Sequence, residues 1–367
     1  MSTLQVGNYP SEPTILGTAN NDDEARTAEA MRLAEFVPLP SDIDPALQFT
    51  RNNNTTRTFI TGDSVIVTRV MSMQPADFDS KAAGFIAGFY SNAQSDDNFR
   101  LSHTLENYVL LFDNESSAQA ASIALGDQHR QYYADEYQNA ELPNFLTARS
   151  YWHPEWAKLV SWYAHGRFVI HTASTDHLSN ELETNDLPAL VRTVEQSLTK
   201  VSGSLDKFTP TPREQWSTLQ RDVDGMIGKT VTSANNLSPE DITPIAYSGR
   251  ATLHGSRNSG KDGEYLDEFG VDQAAFNGGA LYRARDEKAA EGLAVARAQL
   301  GKLFKPAPAP EGLPIAHCNE ARGKYQSGAR FRCTVAAGRF TADISAEQLA
   351  DAHQRISSQY AMLINSK

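Results

Sequence analysis

A motif that occurs twice constrains the fold of this chain more than any other feature. The pattern Ala-x-Gly-Arg-Phe is present in both halves, and its glycines, Gly166 and Gly338, are 172 positions apart. A strand-like run that ends in Asp and leads into an Ala-rich segment also occurs twice. Its aspartates, Asp113 and Asp286, are 173 positions apart. Two matches at nearly one offset indicate that the chain contains an internal duplication.

The secondary structure predicted around these motifs is the same in both halves. Each Gly-Arg-Phe lies between two runs of alternating apolar and polar residues, which predicts a β-hairpin with Gly at the turn. The Asp of the other motif is expected to cap the helix that follows it. A second helix is predicted after each hairpin, over 187–205 and 346–364, and the latter would begin with a capping box of Ser345 and Gln348.

Each half is therefore predicted to be a β-α-β-β-β-α unit of the α+β class, with a ferredoxin-like arrangement. Helices would cover one face of each sheet, and the other face would need a partner. Because the second copy is the obvious partner, we expect the two halves to pack as a pseudo-symmetric body.

The Pro-rich segment "FTPTPRE" marks the predicted boundary between the halves, because proline ends a helix and keeps the preceding residue extended. Before the first repeat, one short helix is expected from Asp23 to Phe36. A strand is expected at "SVIVTRVMSM", at the start of the first repeat. The predicted division is 1–62 as an irregular segment with that helix, 63–208 as the first α+β repeat, 209–242 as a connection, and 243–367 as the second repeat.

The charge balance argues against two classes of partner. The chain has 45 acidic and 33 basic residues, a formal net charge of -12. Nucleic-acid binding relies on Lys and Arg that neutralise phosphates, and docking on anionic lipid relies on basic clusters, so neither is expected. No apolar run is long enough to cross a membrane. The N-terminus has neither the basic nor the apolar region of a signal peptide.

Cys318 and Cys333 are the only two cysteines. They are too far apart in sequence for a close zinc-binding pair, and no CxxC redox motif is present. Each lies in a strand-like run, so a disulfide across a β-hairpin is predicted, worth about 3 kcal/mol in the chain-entropy model. Disulfides persist in oxidising compartments, which favours an exported protein. Two buried free thiols are the alternative.

Three motif-like patterns fail when their full requirements are checked. Gly255 to Lys261 fits G-x-x-x-x-G-K, but Asp262 takes the place of the hydroxyl residue, so a surface hairpin loop is predicted there. The "DVDG" segment resembles part of a calcium loop but lacks the Glu at position twelve. Four histidines lack metal-ligand spacing: His153, His165, His171 and His177. We therefore predict no catalytic residue, no metal ligand and no cofactor.

The segment "SYWHPEWAKLVSWYAHGRF" has the highest density of aromatic residues and is the best candidate binding surface. A second aromatic pair, in "GFIAGFY", is spaced four apart as on a helix. Aromatic residues suit an apolar or carbohydrate ligand, although a packed hairpin core is the alternative. The candidate ligand-binding residues are Phe85, Phe89, Tyr151, Trp152, Trp156 and Trp162.

Several segments resemble a family of exported actinobacterial lipoproteins, of the mycobacterial and nocardial type, whose function is uncharacterised. The segments are "VGNYP", "EAMRLAEFVPLPSDIDP", "HGRFVI", "FTPTP", "DVDGM", "LYRARD" and "DAHQRISSQYAML". The resemblance covers nearly the whole chain and implies a secretory leader, a lipidated N-terminal Cys and residence at the cell envelope. This chain contains neither the leader nor the lipidation Cys. The resemblance supplies no catalytic residues.

We therefore expect a non-catalytic binding protein of the cell envelope, with an apolar ligand, a glycolipid or a partner protein between its halves. It would meet the membrane only through a lipid anchor that this chain lacks. An envelope hydrolase that uses His153, His165 and Glu155 is the second hypothesis. A structural or assembly protein is the third.

Overall fold

The computed structural model describes residues 4–50, 57–71, 73–132, 136–232, 244–323 and 329–366. Within these residues the helices are α1 (Asp22–Ala34), α2 (Pro75–Lys81), α3 (Glu115–Tyr132), α4 (His177–Glu181), α5 (Leu187–Leu205), α6 (Ser259–Phe269), α7 (Glu287–Arg297) and α8 (Leu349–Asn365). The strands of the first half are β1 (Thr58–Phe59), β2 (Phe85–Gln94), β3 (His103–Phe112), β4 (Gln138–Asn139), β5 (Arg149–His153), β6 (Lys158–His165) and β7 (Phe168–Asp176). Those of the second half are β8 (Ile245–Ser248), β9 (Gln273–Phe276), β10 (Gly279–Arg283), β11 (Phe304–Ala307), β12 (His317–Ala321), β13 (Phe331–Ala337) and β14 (Phe340–Ala346).

The chain forms two compact units. The N-terminal unit contains Ala19–Leu219 and Leu253–Gly260, and the C-terminal unit contains Met1–Thr18, Gln220–Thr252 and Lys261–Lys367. Each unit therefore includes a segment from the opposite half of the sequence.

Each unit is built on a seven-stranded sheet of described strands, and the two sheets share one topology. The order is β1-β2-β3-β7-β6-β5-β4 in the first and β8-β9-β10-β14-β13-β12-β11 in the second. The α+β class is thus confirmed, and the matching strand orders support two similar halves. The ferredoxin-like topology is not confirmed: each sheet has strands beyond those predicted, and every described pair is antiparallel.

The two copies align at one offset of 172 residues once the helix caps are assigned from the structure. Asp286 caps α7 as predicted, because its Oδ1 accepts the N–H of Ala289 at 2.8 Å. For α3 the prediction of Asp113 is wrong, since the Oδ1 of Asn114 accepts the N–H of Ser117 at 2.9 Å. The two capping residues are therefore as far apart as the two turn glycines.

The repeated Gly-Arg-Phe motif has the same role in both sheets. Gly166 and Gly338 both have a φ of 53°, as glycine does at the first position of a type II′ hairpin turn. The arginine after each glycine folds back, and its Nε donates to the carbonyl at the end of the adjacent strand. The pairs are Arg167 to Phe112 at 3.2 Å and Arg339 to Ala284 at 2.9 Å. The two predicted hairpins are therefore confirmed.

Helices cover both faces of the first sheet, so the expectation that one face needs a partner is wrong. Leu125 of α3 packs in a buried cluster with Trp162 and Tyr108. On the other side of the sheet, Ser197 of α5 donates to the Oδ1 of Asn107 at 2.8 Å. Successive side chains of a strand point to opposite faces, which places α3 and α5 on opposite faces. In the second sheet, α7 and α8 both pack on β13 and β14.

The segment expected as a strand at 64–73 instead contains a π-helical turn, Ile66–Val70. The N–H of Met71 donates to the carbonyl of Ile66 at 2.8 Å. Ile66, Val67 and Met71 are all buried in one cluster. Neighbours on a strand would point to opposite faces, whereas a helical turn lets these side chains share one side.

Two predictions of local structure in the second half are also wrong. Ser345 lies in β14, and α8 begins after Gln348 with no side-chain cap, so the predicted capping box does not form. The expected hairpin loop at 255–263 instead leads into α6. Asp262 lies in the first turn of that helix, where a negative charge is favourable, and pairs with Arg297 at 3.2 Å.

The predicted disulfide between Cys318 and Cys333 is present. The two residues lie directly opposite each other on β12 and β13, with 4.1 Å between their Cα atoms. Both are buried. The facing residues at the corresponding place in the first sheet are Ser150 and Ser161, on β5 and β6. Both serines are buried, and neither hydroxyl has a hydrogen-bond partner. The connecting residues 324–328 of the predicted loop lie outside the described residues.

An N-terminal segment lies along α8 in the C-terminal unit. The hydroxyl of Tyr9 contacts Asp351 near the start of the helix. The carbonyl of Pro10 accepts from Ser358 at 2.5 Å, and the carbonyl of Ser11 accepts from the side chain of Asn365 at 3.1 Å. This contact accounts for the burial of Ser358 beside the predicted apolar stripe of α8. Gln359, which is also buried, instead donates to the carbonyl of Lys229 at 2.6 Å and accepts the N–H of Val231 at 2.9 Å.

Residues 253–260 lie in the N-terminal unit, where His254 is buried. Its Nε2 is 3.0 Å from the carbonyl of Val37, so this nitrogen carries the proton, and its Nδ1 accepts from the Ser91 hydroxyl at 3.3 Å. Its ring also meets the ring of Phe89 edge-on at 4.9 Å. The backbone N–H of Thr50 donates to the carbonyl of Arg257 at 2.9 Å.

Candidate functional site

The six candidate binding residues all lie on or beside the first sheet, but they do not share one surface. Phe85 and Phe89, expected on a helix, lie on β2, where Phe85 is partly buried and Phe89 is fully buried. Short apolar runs do not distinguish a helix from a strand, which accounts for that error. Three other residues are buried, at 5%, 6% and 1% exposure: Tyr151, Trp152 and Trp162. The sixth, Trp156, is 42% exposed.

A series of stacked rings occupies the interface between α3 and the sheet. Tyr108 stacks on His171 with 4.9 Å between ring centroids, and His171 stacks on Trp162 at 3.9 Å. His129 of α3 lies 5.9 Å from His171 and 5.2 Å from Tyr137. Aromatic rings in such contact add stabilisation beyond their buried area. These ring contacts are therefore typical of a packed core.

Two histidines of this series are held in a neutral environment. Burial lowers the pKa of His129 to about 3, and the positive charge of Lys158 acts in the same direction. Burial also lowers the pKa of His171 well below its usual value, with His129 as the next cause. The Nδ1 of His171 lies 2.9 Å from the carbonyl of Ser161, so this nitrogen carries the proton. Both imidazoles are therefore uncharged at neutral pH.

The ring series reaches the surface at Trp156. The indole ring lies flat on the imidazole of His153, with 4.0 Å between centroids and 4° between planes. The Nδ1 of His153 accepts the backbone N–H of Trp156 at 3.2 Å, so its Nε2 carries the proton and donates to Glu136 at 3.2 Å. The imidazole is buried and contacts Tyr137 on its edge. This stack fixes an exposed indole in one orientation, as suits a platform for a flat or apolar ligand.

The two histidines of the hydrolase hypothesis, His153 and His165, do not come together. His153 uses one ring nitrogen for Glu136 and the other for a backbone N–H, which leaves none to activate a nucleophile. His165 pairs with Asp206 at 2.7 Å, but it lies at the opposite end of β6 from His153. His153 and His165 therefore form no common acid–base site.

The remaining histidines of the sequence pattern have separate environments. His171 lies in the buried ring series, and the ring of His177 contacts that of Phe99 with 3.8 Å between centroids and 39° between planes. The described part of the chain contains no group of three or more His, Cys, Asp or Glu that could hold a metal ion. Over the same residues, no helix combines the length and apolar character needed to span a bilayer.

The corresponding place in the second unit has different chemistry. At the offset of 172 residues, Thr334 and Asp343 occupy the positions of Trp162 and His171, and they face each other on β13 and β14 in the same way. The Thr334 hydroxyl donates to Asp343 at 2.9 Å, and Arg297 of α7 forms an ion pair with Asp343. The duplicated fold therefore has aromatic rings beneath α3 and an ion-paired network beneath α7.

One end of the first sheet exposes several large apolar side chains. The starts of β3 and β6 and the ends of β5 and β7 are aligned there by the strand register, and α3 ends at the same place. The exposed fractions in this set are 54%, 62%, 42%, 40% and 62%, for Leu101, Tyr132, Trp156, Leu178 and Leu182 respectively. We call this set the end patch. Exposed apolar residues grouped in this way are typical of an interaction site.

The charged residues around the end patch are mostly acidic. Exposed carboxylates of the same segments are Asp96, Asp97, Glu155, Glu181 and Glu183. Arg100 is exposed and lies 3.6 Å from Glu181, and Arg130 and Lys158 are partly exposed. The end patch therefore combines apolar side chains with a negative rim.

Sequence reasoning found Trp156 but missed the other members of the end patch. They lie in three separate segments of the chain, and none belongs to a motif or to an aromatic-rich stretch. Their proximity follows from the strand register and from α3 running back along the sheet. The only signal in the sequence is that these Leu and Tyr residues lie in segments that flank strands, where polar residues are expected.

Comparison with known proteins identifies the family of the chain. Residues 16–221 match the N-terminal domain of unknown function DUF7373, and residues 226–366 match its C-terminal domain. No curated protein matches the chain. Among solved structures, it is similar to the extracellular domain of PknH from Mycobacterium tuberculosis, with 10% identity and a TM-score of 0.32, over 49% of this chain and 97% of that one. The chain belongs to the DUF7373 family, a family of unknown function, and contains both of its domains.

Proposed function

We propose that this protein is a non-catalytic binding protein of the cell envelope, outside the cytoplasm, and that Trp156 is part of its ligand surface. The ligand is an apolar molecule, a glycolipid or a partner protein. The observation that carries the proposal is the exposed indole of Trp156, held flat on a buried imidazole whose two nitrogens are both hydrogen-bonded. A side chain fixed in this way loses little conformational freedom on binding.

The location rests on a separate observation. The disulfide between Cys318 and Cys333 lies in the interior of the second sheet, and such bonds persist in oxidising compartments. The resemblance to exported actinobacterial lipoproteins agrees with this location and supports membrane anchoring through a lipid in the native form. The packing of the two halves as a pseudo-symmetric body stays a prediction.

Trp156 can report on its own occupancy. All four tryptophans lie among the described residues, and the other three are at most 8% exposed. Acrylamide should therefore quench mainly Trp156, and the difference between the wild type and Trp156→Phe isolates its emission.

The test is to titrate lipid, glycan and protein fractions of the producing organism's envelope. We expect one fraction to protect Trp156 from quenching, and its binding to weaken about tenfold in Trp156→Ala. Leu146→Ser is the control, because Leu146 is 82% exposed but lies beyond the opposite end of β5. If no fraction protects Trp156, the proposal is wrong.

A further inference from the structure

We infer that the end patch binds a basic, amphipathic segment of a partner protein. This inference rests on the proposed function and narrows its ligand to one class. The apolar side chains of Leu101, Leu178 and Leu182 supply an area that an apolar helix face or strand face can cover. Basic residues flanking that face would meet the acidic rim.

The charge of the rim decides between the possible occupants. The rim carboxylates repel an anionic bilayer, whose surface attracts basic proteins instead. They equally disfavour a second copy of this chain, because an isologous contact would bring two identical acidic rims together. A neutral glycan gains nothing from the excess of carboxylates. A cationic polypeptide is attracted by it, and the attraction also speeds its association.

The local structure keeps the end patch in place. The N–H of His177, at the start of α4, donates to the carbonyl of Ser102 at 3.0 Å, which joins α4 to the 3₁₀ turn Phe99–Leu101. The N–H of Asp176 donates to the carbonyl of Ala157 at 3.0 Å, which joins the loop of Trp156 to the same strand end. The segments of Leu101, Trp156 and Leu178 are therefore tied together by the backbone, and they present a preformed surface.

The experiment uses the full chain and two designed amphipathic helices of identical pattern, one of Leu and Lys and one of Leu and Glu. We expect the Lys peptide to protect Trp156 from acrylamide and the Glu peptide to bind at least about tenfold more weakly. Raising the salt from about 0.05 M to about 0.5 M should weaken binding of the Lys peptide, because exposed charges are screened.

Matched variants separate the end patch from general acidity. Asp97→Lys with Glu155→Lys should weaken the Lys peptide about tenfold. Glu311→Lys with Glu347→Lys makes the same change in net charge at exposed positions of the C-terminal unit and should leave binding unchanged. Leu182→Ser should weaken binding, whereas Leu146→Ser should not.

The outcomes distinguish this inference from the proposed function. Equal binding of both peptides, or an equal effect of both charge-reversed pairs, overturns the inference. Protection of Trp156 by a neutral glycolipid or by anionic vesicles, with none by the Lys peptide, overturns the inference and retains the proposed function. Sedimentation that shows a dimer abolished by Leu182→Ser also overturns it. If neither the peptides nor any envelope fraction protects Trp156, both are wrong.

Discussion

At the scale of single residues, the buried imidazoles of His129 and His171 have the clearest energetic consequence. In the unfolded chain a histidine has a pKa near 6.5. In the folded protein burial lowers the pKa of His129 to about 3 and lowers that of His171 in the same direction. Between about pH 6.5 and pH 3 the unfolded chain binds more protons than the folded protein. The free energy of unfolding therefore falls as the pH falls.

We therefore predict that the N-terminal unit loses stability between about pH 6.5 and pH 3, and that His129 alone accounts for about 2 kcal/mol at about pH 5. The measurement is urea unfolding at a series of pH values. The double variant His129→Phe, His171→Phe should show a shallower pH dependence, whatever its stability at neutral pH. His353→Gln, on α8, is the control and should keep the wild-type slope. An unchanged slope in the double variant would contradict the prediction.

At the scale of elements, the duplicated hairpins make a prediction about the first sheet. Ser150 and Ser161 face each other on β5 and β6, as Cys318 and Cys333 do on β12 and β13. The strand register that permits the native disulfide should permit another at the serine pair. A bond there closes a loop of about 11 residues, which the chain-entropy model values at about 3 kcal/mol.

The double variant Ser150→Cys, Ser161→Cys is therefore expected to form a second disulfide and to unfold at a higher urea concentration than its reduced form. Mass spectrometry after alkylation, with and without reductant, measures the bond. The control pair is Ser150→Cys with Ser174→Cys, because β6 lies between β5 and β7 and separates the two sites by about 10 Å. That pair should stay reduced. If a disulfide formed in both variants, its formation would not depend on which residues of β5 and β6 face each other, and the prediction would be contradicted.

The same elements show what could be predicted from sequence. The hairpins were predictable because Gly at a two-residue turn has a specific backbone requirement, and α5 was predicted with its observed bounds for its long apolar stripe. The strand β2 and the π-helical turn at Ile66 were not, because a few apolar residues fit either a helix or a strand. The strands added at the edges of each sheet are two to four residues long and carry too little pattern to be seen.

At the scale of the whole molecule, the candidate site was only partly predictable. The aromatic segment was visible, but its burial was not, because the same alternation of rings fits a core or a binding wall. The end patch depends on contacts between segments that are far apart in sequence. Trp156 belongs both to the aromatic segment, which the sequence shows, and to the end patch, which only the structure shows.

The exchange of chain segments between the two units yields the last prediction. The family boundary separates 16–221 from 226–366, yet the N-terminal unit also includes residues 253–260. Without them, the Ser91 hydroxyl and the Val37 carbonyl lose the imidazole of His254, and a buried polar group left without a partner costs about 1–3 kcal/mol. A fragment of residues 16–221 should therefore unfold at a lower temperature than a fragment of residues 16–260. At about 2–4 °C for each kcal/mol, calorimetry can resolve the difference. His254→Ala in the longer fragment should remove most of the gain. Equal melting temperatures for the two fragments would show that the family boundary, and not the exchanged segment, defines the folding unit.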